Sequence, residues 1–327
     1  MTGYFRMRAP TWRDLHAIGE LLAICEQAET GQNSRTAQEH SRALSDAFQK
    51  TPLFSLARDA WLLVATEQRC IGFASLWRSP DAPLNMVISS RIHPEYCGSG
   101  LGTLLLRTAE QRAREVAAGA PATLLSWVTG SNTAARTLLE SEGYTATRTF
   151  AKMDYPLDRE TPPPQIPAGF TLRTFIPEQD EYATYEADNE AFQDSWGYVP
   201  SSFTTWKLHN IQRPDFDPSL WFLAIQNETI AGYALCFQHK DHKKQPLGWI
   251  EALAVRRPYR RQGLARALLQ TAFHEFQRRG AVCCQLNVDL ENPTGALHLY
   301  EKAGMSRMPN VEIRYEKLLN DAHQSAP

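Results

Sequence analysis

Four arginines and a glycine stand together where an apolar run of the sequence gives way to a helical pattern. Arg256, Arg257, Arg260 and Arg261 precede Gly263 in the segment 256–263. Guanidinium groups bind phosphate oxygens through charge-assisted hydrogen bonds, and a glycine lets a ligand approach the backbone closely. These residue types in this order indicate a binding site for a phosphate or pyrophosphate group.

The elements around this basic segment predict how it is positioned. An apolar, β-prone run from Trp249 to Val255 leads into a basic turn from Arg256 to Gln262, and an apolar-periodic helix opens at Gly263. Such a unit leaves backbone N–H groups unpaired at the start of the helix, where the helix dipole adds partial positive charge. The segment has neither the G-x-G-x-x-G of a dinucleotide site nor the Gly-Lys-Ser/Thr of a P-loop.

The string Arg260-x-x-Gly263-x-Ala265 resembles the acyl-CoA pyrophosphate loop of the GNAT N-acetyltransferases, whose pattern is Arg/Gln-x-x-Gly-x-Gly/Ala. Glycine and alanine keep bulky side chains off the surface that a ligand would approach. The resemblance implies that acetyl-CoA is the cofactor and that no metal takes part.

A second motif runs from Asn292 through Tyr300 to Gly304 and resembles the family's Asn…Ala-x-x-Leu-Tyr-x-x-x-Gly-Phe signature. In that signature the Asn contacts the cofactor and the Tyr lies near its sulfur. Together the two motifs imply cofactor contacts from a set of loop, strand and helix residues, namely Leu253, Ala254, Val255, Arg260, Arg261, Gln262, Gly263, Leu264, Ala265, Arg266, Asn292 and Tyr300.

Glu251 and Tyr300 are the residues to which we assign proton transfer. Acylation of an amine requires the neutral amine, so a carboxylate must take its proton directly or through one water, and Glu251 is the carboxylate of the strand before the loop. A phenol near the sulfur eases departure of CoA by giving up a proton, which makes Tyr300 the predicted acid. Asp289 or a water wire is the alternative base, and a backbone N–H near Leu253 to Val255 is predicted to donate to the carbonyl oxygen.

The loop between the first two predicted helices of this half lies where family members shape the acceptor pocket. Its Asp194, Trp196 and Tyr198 are the predicted substrate-binding residues. No cysteine stands beside a recognisable His partner, which favours direct transfer over a covalent acyl-enzyme. The run from His239 to Lys244 has no matching carboxylate or cysteine group and predicts no metal site.

Length and composition bound the kind of protein. A chain of 327 residues is comfortable for two domains of about 150 residues each. A net charge of −2, with 43% hydrophobic and 21% charged residues, gives no global attraction to nucleic acid or to an anionic membrane. The six cysteines show no paired spacing, and no apolar run has the length of a signal peptide or a membrane span. We therefore predict a cytoplasmic protein without a nucleic-acid or membrane partner. The family resemblance implies a small-molecule amine as the substrate, and we expect a monomer or a homodimer.

The same order of predicted elements occurs twice, at a spacing of about 160 residues, well above the period of solenoid repeats. Each copy resembles one GNAT domain, an α/β fold with a central mixed, mostly antiparallel sheet flanked by helices. A proline-rich stretch from Thr161 to Pro167 predicts a semi-rigid linker between the copies. The predicted division is an N-terminal domain at 1–158, a linker at 159–168 and a catalytic C-terminal domain at 169–327.

The first copy lacks the chemistry of the second. Aligning Gly100 with Gly263 leaves the glycine loop intact but replaces the functional side chains, with Cys97 opposite Arg260, Ile88 opposite Glu251 and Leu139 opposite Tyr300. We therefore predict a non-catalytic N-terminal domain. A second, weaker cofactor site in it would comprise Ile92, Gly98, Gly100, Gly102 and Asn132.

This two-domain arrangement, and the string from Phe216 to Ala224, resemble the tandem GNAT group that includes mycothiol synthase. The resemblance implies direct acetyl transfer from acetyl-CoA to a primary amine in the C-terminal domain. One alternative is acetylation of an aminoglycoside or another amine antibiotic, which acidic residues such as Asp194 and Glu251 would favour. Another is a non-enzymatic acyl-CoA sensor, a role compatible with the degraded first copy.

Overall fold

The structure is a computed structural model that describes residues 5–31, 35–65, 69–158, 161–241 and 243–319. Its helices and strands, in chain order, are β1 Phe5–Arg8, α1 Leu15–Thr30, α2 Ala37–Lys50, β2 Ala60–Ala65, β3 Cys70–Ser79, β4 Ala82–Ile92, α3 Leu101–Ala117, β5 Ala122–Thr129, α4 Thr133–Ser141, β6 Thr145–Pro156, β7 Thr171–Thr174, α5 Glu181–Phe192, α6 Phe203–Asn210, β8 Trp221–Gln226, β9 Thr229–Lys240, β10 Pro246–Val255, α7 Leu264–Arg278, β11 Cys283–Asp289, α8 Ala296–Lys302 and β12 Ser306–Leu319.

The chain divides into two compact units. The N-terminal unit comprises Met1–Thr149 with Asn310–Pro327, and the C-terminal unit comprises Phe150–Pro309. Most of β12 thus belongs to the N-terminal unit and most of β6 to the C-terminal unit. The predicted domains, 1–158 and 169–327 with a linker at 159–168, follow the order of the sequence, whereas β6 and β12 each belong mostly to the other unit. The predicted domain boundaries stay a prediction.

The two units have the same sheet topology. The N-terminal unit has the strand order β1-β2-β3-β4-β5-β12, and the C-terminal unit has the order β7-β8-β9-β10-β11-β6. All pairs are antiparallel except β4 with β5 and β10 with β11, which are parallel. The predicted fold class, a mixed and mostly antiparallel sheet with helices in each half, is confirmed.

Each parallel pair separates partway along its length. In the C-terminal unit β10 pairs with β11 only from Leu247↔Cys283 to Trp249↔Gln285, although β10 continues to Val255. In the N-terminal unit the pairs of β4 with β5 end at Val87↔Leu125. Beyond these points the two strands of each pair are no longer hydrogen-bonded to each other, so their facing backbone groups have no partner in the ladder. We call these two regions the β10–β11 gap and the β4–β5 gap.

Each unit has an arginine–aspartate ion pair just before its first long helix. These pairs were not predicted from the sequence. Arg8 at the end of β1 donates to both carboxylate oxygens of Asp14 at 2.8 and 2.6 Å. Arg173 at the end of β7 does the same to Asp180 at 2.5 and 2.8 Å. Each aspartate directly precedes the first long helix of its unit, so the pair fixes where that helix starts.

Close packing sets the position of α7 against the sheet. Leu264, Leu268, Leu269, Phe273 and Phe276 of α7 are buried. A side-chain carbon at Gly248 of β10 would lie 2.5 Å from the Phe276 ring, so only glycine allows this approach. The strand and the helix on either side of the basic loop are therefore held firmly together.

Two segments flank elements of the C-terminal unit. Before the last helix of this unit, which begins at Ala296, Asn292 accepts hydrogen bonds from Thr294 in a turn. The proline-rich stretch contacts α7, where the Pro162 carbonyl is 2.9 Å from the His274 ring. Residues 159 and 160 of the predicted linker lie outside the described residues.

Candidate functional site

The basic loop forms a concave run of backbone N–H groups. Arg261 and Gly263 both have left-handed backbones, with φ of 63° and 89°. Alternation of left-handed residues with ordinary ones turns successive N–H groups toward one point, an arrangement that binds anions. Gly98 and Gly100 of the N-terminal unit have the same conformation, with φ of 78° and 82°. Both loops therefore keep the backbone shape of a phosphate site.

The first N–H groups of α7 lie directly after this loop. Gly263 is the residue before the helix, and α7 runs for 15 residues. The N–H groups of Leu264, Ala265 and Arg266 have no acceptor within the helix, as at every helix start, and the dipole of the helix adds positive charge there. With Gln262 exposed in the same loop, the predicted cofactor residues of this segment are consecutive along the loop and the first turn of the helix.

Arg260 makes three polar contacts within the protein, and its predicted phosphate contact stays a prediction. Its Nε donates to the Val255 carbonyl at 3.0 Å and its Nη2 to the Ala191 carbonyl at 3.2 Å. Its Nη1 lies 3.2 Å from the carboxylate of Asp194. The guanidinium therefore connects the basic loop to the end of β10 and to the end of α5.

Asp194 faces the basic loop. Its carboxylate accepts from Nε of Arg257 at 2.8 Å and also pairs with Arg260. These hydrogen bonds, chiefly from Arg257, lower the pKa of Asp194 to about 2. Glu190 accepts in the same way from Arg256 at 2.7 Å. The assignment of Asp194 to the acceptor stays a prediction, and the structure places this residue against the basic loop.

The hydrogen bonds between β10 and β9 determine which backbone groups of β10 point away from β9 and into the β10–β11 gap. The N–H of Arg256 donates to the Ala231 carbonyl at 2.9 Å, and antiparallel strands alternate between inward and outward groups. Ala254 therefore directs its backbone groups toward β9, while Leu253 and Val255 direct theirs into the gap. Leu253 and Val255 are the candidate donors to a carbonyl oxygen, and Ala254 can offer only its methyl group.

Glu251 occupies a β-bulge. Ile250 pairs with Cys236 and Ala252 with Leu235 of β9, so two consecutive partners on β9 are matched by three residues on β10. The residue left without a partner is Glu251. A bulge bends its strand and redirects the extra side chain, and bulges are frequent next to active sites.

The pairing of β3 with β4 in the N-terminal unit begins in the same way as the pairing of β9 with β10. Gly72 pairs with Ile92 and Gly232 pairs with Val255, and Ile92 and Val255 stand at the same distance before the loop glycines in the sequence. The two glycines are therefore counterparts, which gives a register for comparing β3 and β4 with β9 and β10.

This register corrects the predicted pairing of Ile88 with Glu251. Leu76 pairs with Ile88 in an uninterrupted ladder, and Cys236, its counterpart, pairs with Ile250. Ile88 therefore corresponds to Ile250, and Glu251 has no counterpart in the N-terminal unit. Counting back from the glycine loops gave the wrong pair because a count cannot detect an inserted residue.

The Glu251 carboxylate lies in a polar cluster on the α5–α6 side of the sheet. It accepts from the Trp249 indole N–H at 2.9 Å, lies 3.6 Å from Arg213 and remains 45% exposed. Its exposure leaves room for an acceptor or a water molecule. The position suits a general base.

Three further residues of this cluster were not identified from the sequence. Arg213 holds Asp215 at 2.9 and 2.8 Å, and His239 lies 3.4 Å from Asp215 and stacks on Trp249. The pKa of Asp215 is held well below its usual range by hydrogen bonds from His239 and Arg213, which outweigh the effect of burial. Strand alternation, which puts residues 237, 239 and 249 on one face, was the available signal. His242 of the predicted His–Lys run lies outside the described residues.

Tyr300 is almost completely enclosed. It is 7% exposed on α8, and burial raises the pKa of its hydroxyl to about 12. Within the described ranges the hydroxyl makes no hydrogen bond to another residue. A neutral phenol with a free hydroxyl suits the predicted acid.

The other predicted residues have varied positions. The side-chain oxygen of Asn292 accepts from the backbone and hydroxyl of Thr294 at 2.8 and 2.7 Å, so Asn292 shapes the turn before α8. Tyr198 donates to Asn189 at 2.6 Å, and Trp196 is 37% exposed.

The N-terminal unit matches the Tyr300 region in backbone but not in chemistry. Tyr144 N–H donates to the Leu139 carbonyl at 2.9 Å, as Met305 N–H does to the Tyr300 carbonyl at 3.0 Å. Leu139, which has no hydroxyl, therefore takes the place of Tyr300. Asn132 caps α4 through Ala135.

Other kinds of site find no support in the part of the chain that the structure describes. That part contains no cluster of His, Cys, Asp and Glu suited to a metal ion. None of the helices traced in it is long and apolar enough to cross a membrane. All six cysteines fall within the described ranges, and each is a free thiol.

Comparisons with known proteins agree with this geometry. The sequence matches the Acetyltransferase (GNAT) family over residues 21–144 and again over 181–305. A mycothiol acetyltransferase of Thermobispora bispora is 32% identical over 79% of this chain and 83% of its own length. That of Thermomonospora curvata is 30% identical over 91% of this chain and 93% of its own length.

Solved structures give the same result for the fold. A GCN5-related N-acetyltransferase from Sphaerobacter thermophilus is 33% identical, with a TM-score of 0.78 over 96% of this chain and 95% of its own. A tandem GNAT protein from the clavulanic acid biosynthesis pathway shares the fold at 15% identity, with a TM-score of 0.69 over 96% of this chain and 98% of its own. With two family matches on two units of the same topology, the chain belongs to the GNAT acetyltransferase family as a tandem member.

Proposed function

We propose that the C-terminal unit transfers an acetyl group from acetyl-CoA directly to a primary amine of a small molecule. The observation that carries this proposal is the β-bulge at Glu251. It places an exposed carboxylate on β10 just before Leu253 and Val255, whose backbone groups face the β10–β11 gap. The N-terminal unit has no such residue.

The residues of the loop and helix fit the pyrophosphate of acetyl-CoA. The left-handed residues Arg261 and Gly263 turn backbone N–H groups to a single anion-binding concavity, and the first N–H groups of α7 extend it. Arg261 is exposed in this loop and adds charge. Acetyl-CoA would supply the activated thioester, and this chain would hold its phosphates here.

The chain's own groups handle the proton transfers at the amine and at the sulfur. Glu251 takes a proton from the acceptor ammonium, which frees the nitrogen lone pair. As the nitrogen bonds to the acyl carbon and the carbon–sulfur bond breaks, the N–H of Leu253 or Val255 donates to the carbonyl oxygen. Tyr300 then protonates the departing thiolate. The acylated nitrogen releases its second proton to water, and Glu251 and Tyr300 return to their starting states by losing a proton to water and regaining one from it, so that one proton is released overall. A pKa of about 12 keeps the Tyr300 hydroxyl protonated at neutral pH.

Buried thiols favour this direct route over an acyl-enzyme. Cys236, Cys283 and Cys284 lie in the strands of the C-terminal unit, and burial raises the pKa of each thiol above its usual value. The nucleophile of a covalent route would have to be a thiolate. These cysteines remain protonated and serve packing.

The names of the similar proteins indicate which acceptor to test first. Because these relatives are named mycothiol acetyltransferases, the amine acceptor of a mycothiol acetyltransferase is the first compound to test. The aminoglycoside alternative loses one support, because Asp194 pairs with Arg257 and Arg260 and adds no acidic charge to an acceptor pocket. The acyl-CoA sensor alternative predicts no turnover at all.

The experiment is a free-thiol release assay with acetyl-CoA against a panel that contains the mycothiol acetyltransferase acceptor, an aminoglycoside and simple amines. We expect CoA release that depends on an amine and an acetylated amine among the products. Binding of acetyl-CoA without turnover on any acceptor would support the sensor. Turnover that persists when amines are replaced by alcohols would contradict N-acetylation.

A further inference from the structure

The first long helices of the two units start alike but end differently. Each follows an arginine-paired aspartate, Asp14 or Asp180. The helix of the N-terminal unit, α1, has 16 residues and ends at Thr30, whereas α5 has 12 residues and ends at Phe192. The N-terminal unit therefore has about one additional helical turn.

Just before its additional turn, α1 contacts one side of the β4–β5 gap. Cys25 is 4% exposed, and its thiol donates to the Ile92 carbonyl at 3.3 Å. Since His93 N–H donates to the Ile71 carbonyl, alternation along the ladder turns the Ile92 carbonyl away from β3 and into the gap. The thiol of Cys25 therefore hydrogen-bonds to the carbonyl group that the end of β4 directs into the gap.

The last turn of α1 contacts the other side of the gap. The Glu29 carboxylate accepts from the Asn132 side-chain amide at 2.7 Å and from the Thr129 hydroxyl at 3.3 Å. Thr129 ends β5 and Asn132 starts α4. Because α1 bonds to the ends of both β4 and β5, it spans the gap between them.

The C-terminal unit has no such bridge. The Val255 carbonyl, the counterpart of that of Ile92, accepts from Arg260 of the basic loop. Within the described residues, α5 makes its side-chain hydrogen bonds to β9, α6, the basic loop, Glu178 and the segment 198–201, and none to β11 or α8. In the described part of this unit, no side chain of α5 therefore bonds across the β10–β11 gap.

We infer that the last turn of α1 is a plug that closes the β4–β5 gap, so that the N-terminal unit holds no acyl-CoA despite its intact glycine loop. Glu29 adds a negative charge and takes the Asn132 amide that would otherwise be available to a ligand. Cys97, which stands where the C-terminal unit has Arg260, leaves the loop without that tether. The N-terminal unit then serves the protein by its fold and not by a second cofactor site.

Calorimetric titration of the full chain with CoA tests this inference, because it counts sites without requiring turnover. We expect one equivalent per chain. Gly263→Asp, which places a carboxylate in the C-terminal loop, should abolish binding, whereas the matched Gly100→Asp should leave stoichiometry and affinity unchanged. Both positions have positive φ, which aspartate tolerates better than most residues. Arg261→Glu provides a second C-terminal variant, and thermal melts report on folding.

Glu29→Ala tests the plug itself. It should raise the stoichiometry from one equivalent of CoA to two. Two equivalents in the wild type, falling to one in Gly100→Asp, would overturn the inference while leaving the proposed function intact. Retention of one equivalent by Glu29→Ala would overturn the role of the plug. Full binding in both Gly263→Asp and Arg261→Glu would instead contradict the assignment of the C-terminal loop to the cofactor.

Discussion

Ile250, and not Glu251, is the structural counterpart of Ile88. Ile88 pairs with Leu76 in the N-terminal unit, and Ile250 pairs with Cys236 in the C-terminal unit. The candidate base is therefore an inserted residue, carried on a bulge. The difference between the two units lies in the backbone of one strand as well as in its side chains.

Tyr300→Phe tests the acid. We expect kcat to fall about 10²-fold, within the range of general acid catalysis, with CoA affinity unchanged. Thermal stability should hold, because the hydroxyl makes no hydrogen bond to a described residue. Tyr259→Phe, a loop tyrosine packed edge-on against Phe170, is the matched control and should keep full kcat. Equal kcat in both variants would contradict the role of Tyr300.

Arg260 and Asp194 should have opposite effects on the cofactor. Arg260→Ala removes the tether to Val255 and Ala191 and should weaken CoA binding about tenfold, as expected for loss of charge-assisted hydrogen bonds. Asp194→Asn leaves that tether in place and frees positive charge on the loop, so CoA should bind more tightly. Titration calorimetry measures both. Weaker binding in Asp194→Asn would show that Asp194 acts chiefly by holding the loop.

The effect of Asp194 should not depend on pH in the working range. Its pKa is lowered from 3.8 to about 2, so the paired charge is fully present above the ordinary value and is lost only as pH falls through about 2. The ratio of CoA dissociation constants for Asp194→Asn and wild type should be equal at about pH 5.5 and about pH 8.5. A ratio that changes between these values would mean that another group titrates with the pair.

Gly263 is required for its conformation and not for space. Its φ is 89° and a side-chain carbon would meet only Pro167, at 3.6 Å. Gly263→Ala should therefore cost about 1–2 kcal/mol for the left-handed backbone and weaken CoA binding. Gly102→Ala is the control, because the C-terminal unit has Ala265 at that position. Its added carbon would lie 3.0 Å from a terminal methyl group of Leu138, so this side chain must shift slightly, and chemical denaturation should show a smaller loss of stability than for Gly263→Ala. Equal stability losses in the two variants would contradict this reasoning.

The sequence predicted the parts of this molecule that have local signals. The strand, loop and helix around Gly263 follow from apolar periodicity and a glycine, and the resemblance to the family extended that pattern to both halves. The bulge at Glu251 has no such signal, because a ladder is defined by its partner strand. The contacts of Arg260 also depend on a segment distant in sequence, at Ala191 and Asp194, and the exchange of β6 and β12 between units depends on pairing over the whole chain.

We propose Glu251 of the C-terminal unit as the base for acetyl transfer, and the kcat of Glu251→Gln tests this role. The amide keeps the size of the side chain and can still accept from Trp249 at the bulge, but it cannot take a proton. We expect kcat to fall at least about 10²-fold, with CoA affinity unchanged. A kcat equal to that of the wild type would rule out Glu251 as the base.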